Sequence, residues 1–286
     1  MPGPISISAS MRANLLALQN TSMLQDMTQE RLATGKKVNS ALDNPSSYFT
    51  AQSLNNRAGD LSDRLDGIGQ ALQTLKAADK AIQAITALVT QAKALANNAL
   101  DNVSDSATVK KNMTDFQIVM AQINSAVNDA SYKGVNLLKS TPDNLIATFN
   151  EDGTSKLTVT GISMTMTGLS ITTASTSAQT LSATGTAGDW GNVSGINLSL
   201  SQINNALTTL RTNAASFGTS SAIIQTREDF AKNLITTLKA GADKLTLADM
   251  NEEAANMLAL QTQRQMGTNS LSMASQAAQS VLQMFR

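Results

Sequence analysis

Residues 203–245 read INNALTTLRTNAASFGTSSAIIQTREDFAKNLITTLKAGADKL. The positions Ile203, Leu207, Leu210, Ala214, Phe217, Ser221, Ile224, Glu228, Ala231, Ile235, Leu238, Ala242 and Leu245 recur in alternating steps of four and three, with Ser221 and Glu228 the polar exceptions. That is the heptad period of a helix carrying one narrow apolar stripe. At 1.5 Å per residue it would be on the order of 60 Å long. Such a stripe has to be buried against other helices, so partners are expected elsewhere in the chain.

They lie upstream. From Gln70 to Tyr132 there is neither Gly nor Pro, which predicts long helix. Leu61, Leu65, Ile68, Leu72, Leu75, Ala78, Ile82, Ile85, Val89, Ala92, Ala96 and Ala99 recur in threes and fours with one adjustment near Leu75. The polar run Asp101–Ser106 reads as a turn with capping residues. Val109, Met113, Phe116, Met120, Ile123, Val127 and Ala130 then form a second stripe, predicted to end near Gly134. The expected fold is mainly α, an elongated antiparallel helical bundle or coiled coil. A small β-hairpin region interrupts it mid-chain, where Leu145–Phe149 and Lys156–Thr160 flank the turn residues Asn150-Glu151-Asp152-Gly153. Ile162–Ile171 reads as further strand, and Thr172–Gly195 as loop.

Composition narrows the function. Only 3% of the 286 residues are aromatic and 15% charged, and 21 basic residues balance 21 acidic ones. A neutral chain without a basic face argues against nucleic-acid binding. The absence of His and Cys removes thiol nucleophiles, His bases and Cys/His metal sites. The phosphate-loop, GxSxG and dinucleotide fingerprints have no match, and paired acids such as Asp63 with Asp66 or Glu252 with Glu253 read as solvated surface. No catalytic, cofactor-binding or metal-binding residues are expected, and no cofactor. No stretch is apolar enough for membrane insertion, and the N-terminus lacks the pattern of a Sec signal peptide.

The two ends are the informative parts. Residues 1–25 carry one ionisable side chain, Arg12, and residues 254–286 carry two, Arg264 and Arg286. Both ends are nevertheless helix-patterned, with eight of the 13 methionines in residues 11–27 and 250–284. Helices with so little charge and so little apolar surface are poor at folding alone. They are expected to be disordered in the monomer and buried together in an assembly, where methionine tolerates several packings. The expected assembly interface is Leu15, Leu18, Met23, Met27, Leu271, Ala274, Ala278, Val281, Leu282 and Phe285.

Three further stretches carry a resemblance. RLATGKKVNSALDNPSSYFTAQSLNNRAGDL at residues 31–61 resembles the N-terminal signature of bacterial flagellins, with Arg31, Leu32, Gly35, Asn39, Ser40, Ala41 and Asp43 on its characteristic positions. Read bottom-up, Gly35 stops one helix, and Asp43 or Asn44 caps the next with Pro45 in its first turn. Tyr132–Leu138 and the block from Leu247 to Arg286 are similar to two more segments of the same family.

The resemblance implies a self-assembling helical homopolymer, secreted unfolded through the flagellar type III export apparatus into an extracellular filament used for swimming. It implies residues 1–40 with 246–286 as the filament-core coiled coil. A helical rod of 41–140 with 196–245 would surround it, carrying 141–195 as its hairpin and loop. The implied partners are other copies, the hook-filament junction protein, the filament cap and an export chaperone. The stretch Leu88–Asn97 lacks the Arg and Glu often found where innate immune receptors bind, which implies weak recognition. The alternative is the hook-filament junction protein of the same superfamily.

Overall fold

The computed structural model describes residues 9–174 and 188–284. The elements in chain order are α1 (Ala9–Thr34), α2 (Pro45–Asp101), α3 (Ser106–Asp129), β1 (Leu145–Thr148), β2 (Lys156–Val159), α4 (Val193–Thr246) and α5 (Met250–Met284). The chain divides into two compact units, Met1–Ala58 with Thr236–Arg286, and Gly59–Ile235.

In the Gly59–Ile235 unit the stripes of α2, α3 and α4 close on a single apolar cluster. Ile68, Ile85, Val89, Phe116, Ile123, Ile203, Leu210 and Ile224 each lose all measurable surface. The alanines Ala92, Ala96 and Ala99 are buried as completely, since small residues let helices approach closely. Of the stripe predicted on α2 only Leu65 is half-exposed, at the margin of the cluster.

Capping chemistry sets the joints. Asp105 has extended φ and accepts from the Ala107 N–H, opening α3. The Thr108 hydroxyl, then the N–H groups of Thr108 and Ala107, hold its carboxyl below its ordinary pKa. The helix α3 stops at Asp129, earlier than the expected Gly134. Lys133 and Gly134 both take positive φ, in a tight bridge between Tyr132 and Val135. The reason is Asn136, which is buried: its amide donates to the carbonyl oxygens of Val127 (2.7 Å) and Asn128 (3.2 Å), and its oxygen accepts from the N–H of Leu138 (2.8 Å) and Lys139 (3.1 Å). The last turn of the helix is thereby tied off by a side chain further along.

The hairpin β1–β2 is antiparallel, with Leu145 opposite Val159 and Thr148 opposite Lys156. Ile162–Ile171 is not a strand. Its first residues lie along 137–138, where the Ile162 and Met164 N–H groups donate to Leu137 and Leu138. The chain then turns, with Leu169 N–H bonded to Thr165 and Ile171 N–H to Met166. Its apolar residues Met164, Leu169 and Ile171 are buried without a ladder to join. Trp190 packs on Phe116 with ring centres 4.9 Å apart and donates to Ser199 Oγ at 3.2 Å.

Candidate functional site

The Met1–Ala58 and Thr236–Arg286 unit holds every residue expected at the assembly interface. Its frame is the joint between its helices. Gly35, at φ +69°, ends α1, and the connector after it runs antiparallel to residues 246–248. Lys37 N–H donates to Thr246 at 2.8 Å, Ala248 N–H donates to Gly35 at 3.0 Å, and Lys36 bridges Leu247. The Lys37 ammonium donates to the Lys244 carbonyl. The loop 39–44 then folds around Asp43, whose carboxylate accepts from the N–H groups of Asn39 and Ser40, both at 2.9 Å, and from the Ser40 hydroxyl. The Ser40 N–H, then that of Asn39, holds the Asp43 carboxyl below its ordinary pKa. Asn44 is the residue that caps α2, accepting from Ser47 N–H at 3.1 Å.

From this joint α1 and α5 run back as an antiparallel hairpin. On α1 the residues turned inward are Met11, Asn14, Leu18, Thr21, Gln25, Thr28 and Leu32, and on α5 they are Glu253, Met257, Leu260, Gly267, Leu271 and Ala274. Both sets keep the heptad step, and Arg264 completes the second by donating to Gln25 at 3.1 Å. The seam is mixed, with Asn14, Thr21, Gln25, Thr28, Glu253 and Arg264 standing among leucines and methionines where a coiled coil is usually apolar. Thr21 and Thr28 are its most buried members on α1, and Leu18 lies over Gly267, where an added Cβ would come within 2.9 Å of it.

Glu253 corrects the expectation of a solvated acid. It is 7% exposed and pairs with the Arg31 guanidinium at 3.0 Å. Its Oε2 is buried and has no hydrogen-bond partner among the described residues.

A second set of large apolar side chains on the hairpin is exposed. Leu15, Leu16, Met23, Leu24 and Met27 on α1, and Leu258, Met266 and Met273 on α5, are all exposed, Met23 at 61% and Leu258 at 67%. At 100° per residue Leu16, Met23 and Met27, with Leu258, Met266 and Met273, lie on the outer half of each helix, while Leu15 and Leu24 flank the seam. The expected interface residues therefore divide. Leu15, Met23 and Met27 are exposed, whereas Leu18, Leu271 and Ala274 are half-buried inside the hairpin. The side chains of Ala278, Val281 and Leu282, and the whole of Phe285, lie outside the described residues. Leu16, Leu24, Leu258, Met266 and Met273, also exposed, were not among the expected residues, although their heptad spacing outside the seam was the available signal.

Two stretches of the sequence match known families. Residues 5–142 match the bacterial flagellin N-terminal helical region, and residues 200–285 match the bacterial flagellin C-terminal helical region. The chain belongs to the bacterial flagellin family. This flagellin is 34% identical over 275 residues to flagellin FljM of Caulobacter vibrioides, covering 95% of this chain and 96% of that one. It is 30% identical over 289 residues to a flagellin of Brucella melitensis, covering 99% of each. A solved Bacillus cereus flagellin aligns at a TM-score of 0.46 with 14% identity, over 57% of this chain and 86% of that one. As a flagellin it is a structural subunit of the flagellar filament, a homopolymer, and its family is structural rather than enzymatic. No described helix is long and apolar enough to cross a membrane.

Proposed function

We propose that the α1–α5 hairpin is the part of this flagellin that builds the core of the filament, and that the outer faces of both helices are the surfaces that meet other copies. The observation that carries this is the distribution of side chains on the hairpin: Thr21, Thr28, Asn14, Gln25 and an ion pair share the seam with its leucines and methionines, while Leu15, Leu16, Met23, Leu24, Met27, Leu258, Met266 and Met273 are left exposed. A helical pair whose seam is about half polar gains less from its own closure than an apolar one would. Covering those eight exposed side chains, each worth about 1 kcal/mol for its remaining exposed half, gives assembly a driving force that the isolated subunit lacks. Ordering of residues 1–40 and 246–286 is accordingly coupled to polymerisation, and 41–140 with 196–245 forms the surrounding rod, carrying 141–195.

Export through the flagellar type III apparatus, a chaperone holding the C-terminal helix before assembly, and contact with the junction protein and the cap at the filament's two ends follow from this reading of the chain as a filament subunit acting in swimming. Limited proteolysis tests the coupling. In dilute monomer, cleavage should fall in residues 1–40 and 246–286 and spare Gly59–Ile235, and in filaments the same ends should resist. Resistant ends in dilute monomer would sink the coupling.

A further inference from the structure

The Gly59–Ile235 unit carries a second helical pattern outside the one that builds its core. On α4, Thr212, Ser216, Thr219, Ile223, Thr226 and Phe230 keep alternating steps of four and three and are all exposed. On α3, Thr114, Ile118, Ala121, Ser125 and Asn128 do the same. The charges within these spans, Asp115, Arg227, Glu228 and Asp229, all lie off both stripes. The hydroxyls of Thr212, Thr219 and Thr226, like those of Thr114 and Ser125, donate to the carbonyl four residues back, so these donors are spent inside the helix. An uncharged heptad stripe is the surface of a helix that packs on another helix, and the inner stripes of α3 and α4 already fill the subunit's own cluster.

The two outer stripes fit one another. Thr219, Ala222, Ile223 and Thr226, with Arg227 at the edge, line a hollow of about 280 Å³ on α4. Their spacing, i, i+3, i+4 and i+7, is that of the four-residue hole that receives one side chain of a facing helix. Ile118 is such a side chain, 55% exposed with only Thr114, Ala121 and Ser125 beside it on its stripe. With Ile118 in the hollow and the helices parallel, Phe230, 58% exposed, lies two turns further on. There it meets Ala121, Asn124, Ser125 and Asn128, a hole of the same spacing whose members are exposed or half-buried. With the helices antiparallel Phe230 would fall on Lys110 and Lys111 instead.

Inside one subunit the two stripes do not meet. Trp190 packs on Phe116 and donates to Ser199, so α3 and α4 start side by side. Arg227 lies over Phe149, on the hairpin that follows α3, so both helices run the same way. Ile118 is therefore level with the first turns of α4, about 30 Å short of the hollow.

We infer that the outer stripe of α4 packs on the outer stripe of α3 of a second copy, with that copy's Ile118 in the 219–226 hollow and Phe230 in its 121–128 hole. The occupant is another copy because this chain carries both halves of the fit and belongs to a family that forms a homopolymer. The contact joins unlike surfaces, keeps both copies pointing the same way and shifts each by about 30 Å. Such a contact repeats from copy to copy, as an open helical polymer requires. It rests on the filament reading and adds which helices of neighbouring rods touch and in what register.

Ala121 and Thr226 face each other in this register. The chain has no cysteine, so the variant Ala121→Cys/Thr226→Cys places its only thiols across the contact and leaves Ile118, Ile223 and Phe230 in place. Within one chain the two positions are about 30 Å apart along the helices, too far for a disulfide. Filaments of this variant, alone or mixed one to one with wild-type chains, should give a ladder of disulfide-linked oligomers under copper phenanthroline, and each single-cysteine protein should stay monomeric. Filaments visible by electron microscopy whose chains stay monomeric overturn the contact and leave the filament reading intact. A dimer from Thr226→Cys alone overturns it too, since it would pair the α4 stripes with each other. Independently, Ile118→Asp should raise the concentration needed for seeded growth at least about tenfold with Trp190 fluorescence of the monomer unchanged; growth at the wild-type threshold overturns the contact. Failure of the wild-type protein to form filaments on seeds would overturn the filament reading, and this contact with it.

Discussion

Replacing Leu258 by Asp separates folding from assembly. Leu258 is 67% exposed in the hairpin, so the folded subunit loses little, within the half kcal/mol or so typical of surface substitutions. In the filament the account changes. Covering the exposed part of a leucine contributes about 1–2 kcal/mol, and that is lost. Desolvating a carboxylate with no partner adds a penalty of several kcal/mol. A combined cost of about 4 kcal/mol per subunit raises the concentration needed for polymerisation roughly a thousandfold. The assay is seeded growth over a concentration series, with sedimentation and electron microscopy, alongside circular dichroism and Trp190 fluorescence on the monomer. Leu258→Met, which conserves volume, should assemble as wild type. Acidification to about pH 4 should restore part of the growth of the Asp variant, because the neutral acid is far cheaper to bury. Normal filaments of Leu258→Asp at the wild-type threshold and neutral pH would refute the assignment of this face to a subunit contact.

Other outcomes follow from single residues. Asn136→Leu removes four hydrogen bonds around the end of α3 and leaves buried backbone groups unpaired; it should destabilise the Gly59–Ile235 unit by about 3 kcal/mol, read as a lower midpoint of Trp190 fluorescence in urea. Gly267→Leu has no room beneath Leu18 and should loosen the hairpin by about 1–3 kcal/mol, seen in filaments, where the hairpin is ordered, as faster hydrogen exchange in α1 and α5 with that of α3 unchanged. The Asp43 carboxyl titrates below its ordinary range, so its hold on the 39–44 loop is fully present above about pH 4 and is lost as the pH falls through the lower folded value; the Asn39 and Ser40 amides should keep their protection to below that pH, and Asp43→Asn should remove the transition.

The long stripes were legible because period alone decided them. In α2 the heptad positions from Ile68 through Ala99 are all buried against other helices, and in α4 those from Ile203 through Ile224 are buried except Ala214 and Ser221, which are half-buried. The terminal helices obey the same period with different contents. Apolar identity marked Leu15, Leu18, Met23 and Met27 together as an assembly interface, but the heptad that closes on α5 takes Leu18 with Asn14, Thr21, Gln25 and Thr28 and leaves Leu15, Met23 and Met27 exposed. Pattern identifies a face, whereas which face meets its own chain depends on the partner helix, here one carrying Gly267 and Arg264. Glu253 was misread for a related reason. Nothing local distinguishes it from Glu252, and only the approach of Arg31, far away in sequence, makes it an interior residue. Ile162–Ile171 has strand-like residues, but only the Ile162 and Met164 amides find a neighbouring segment, at Leu137 and Leu138, and the amides of Leu169, Ser170 and Ile171 close turns instead. Between the two candidate caps of α2, three-dimensional contact alone divided the work, with Asp43 holding the loop and Asn44 the helix.

The contact between Thr173 and Gly188 has a bearing on how such a chain changes length. Gly188 adopts φ +94°, and a Cβ placed on it would come within 2.5 Å of the Thr173 carbonyl oxygen, so these two points of the backbone touch. Thr172 is tied to Gln202 and Gly188 to Ser199, both on α4, which makes the two points a fixed doorway. The entropic cost of closing the chain between them rises only with the logarithm of its length. A longer segment between them would therefore add little to the cost of closure, its two ends would stay tied to Ser199 and Gln202 of α4, and a polymer of such subunits would present each segment at the same repeating interval.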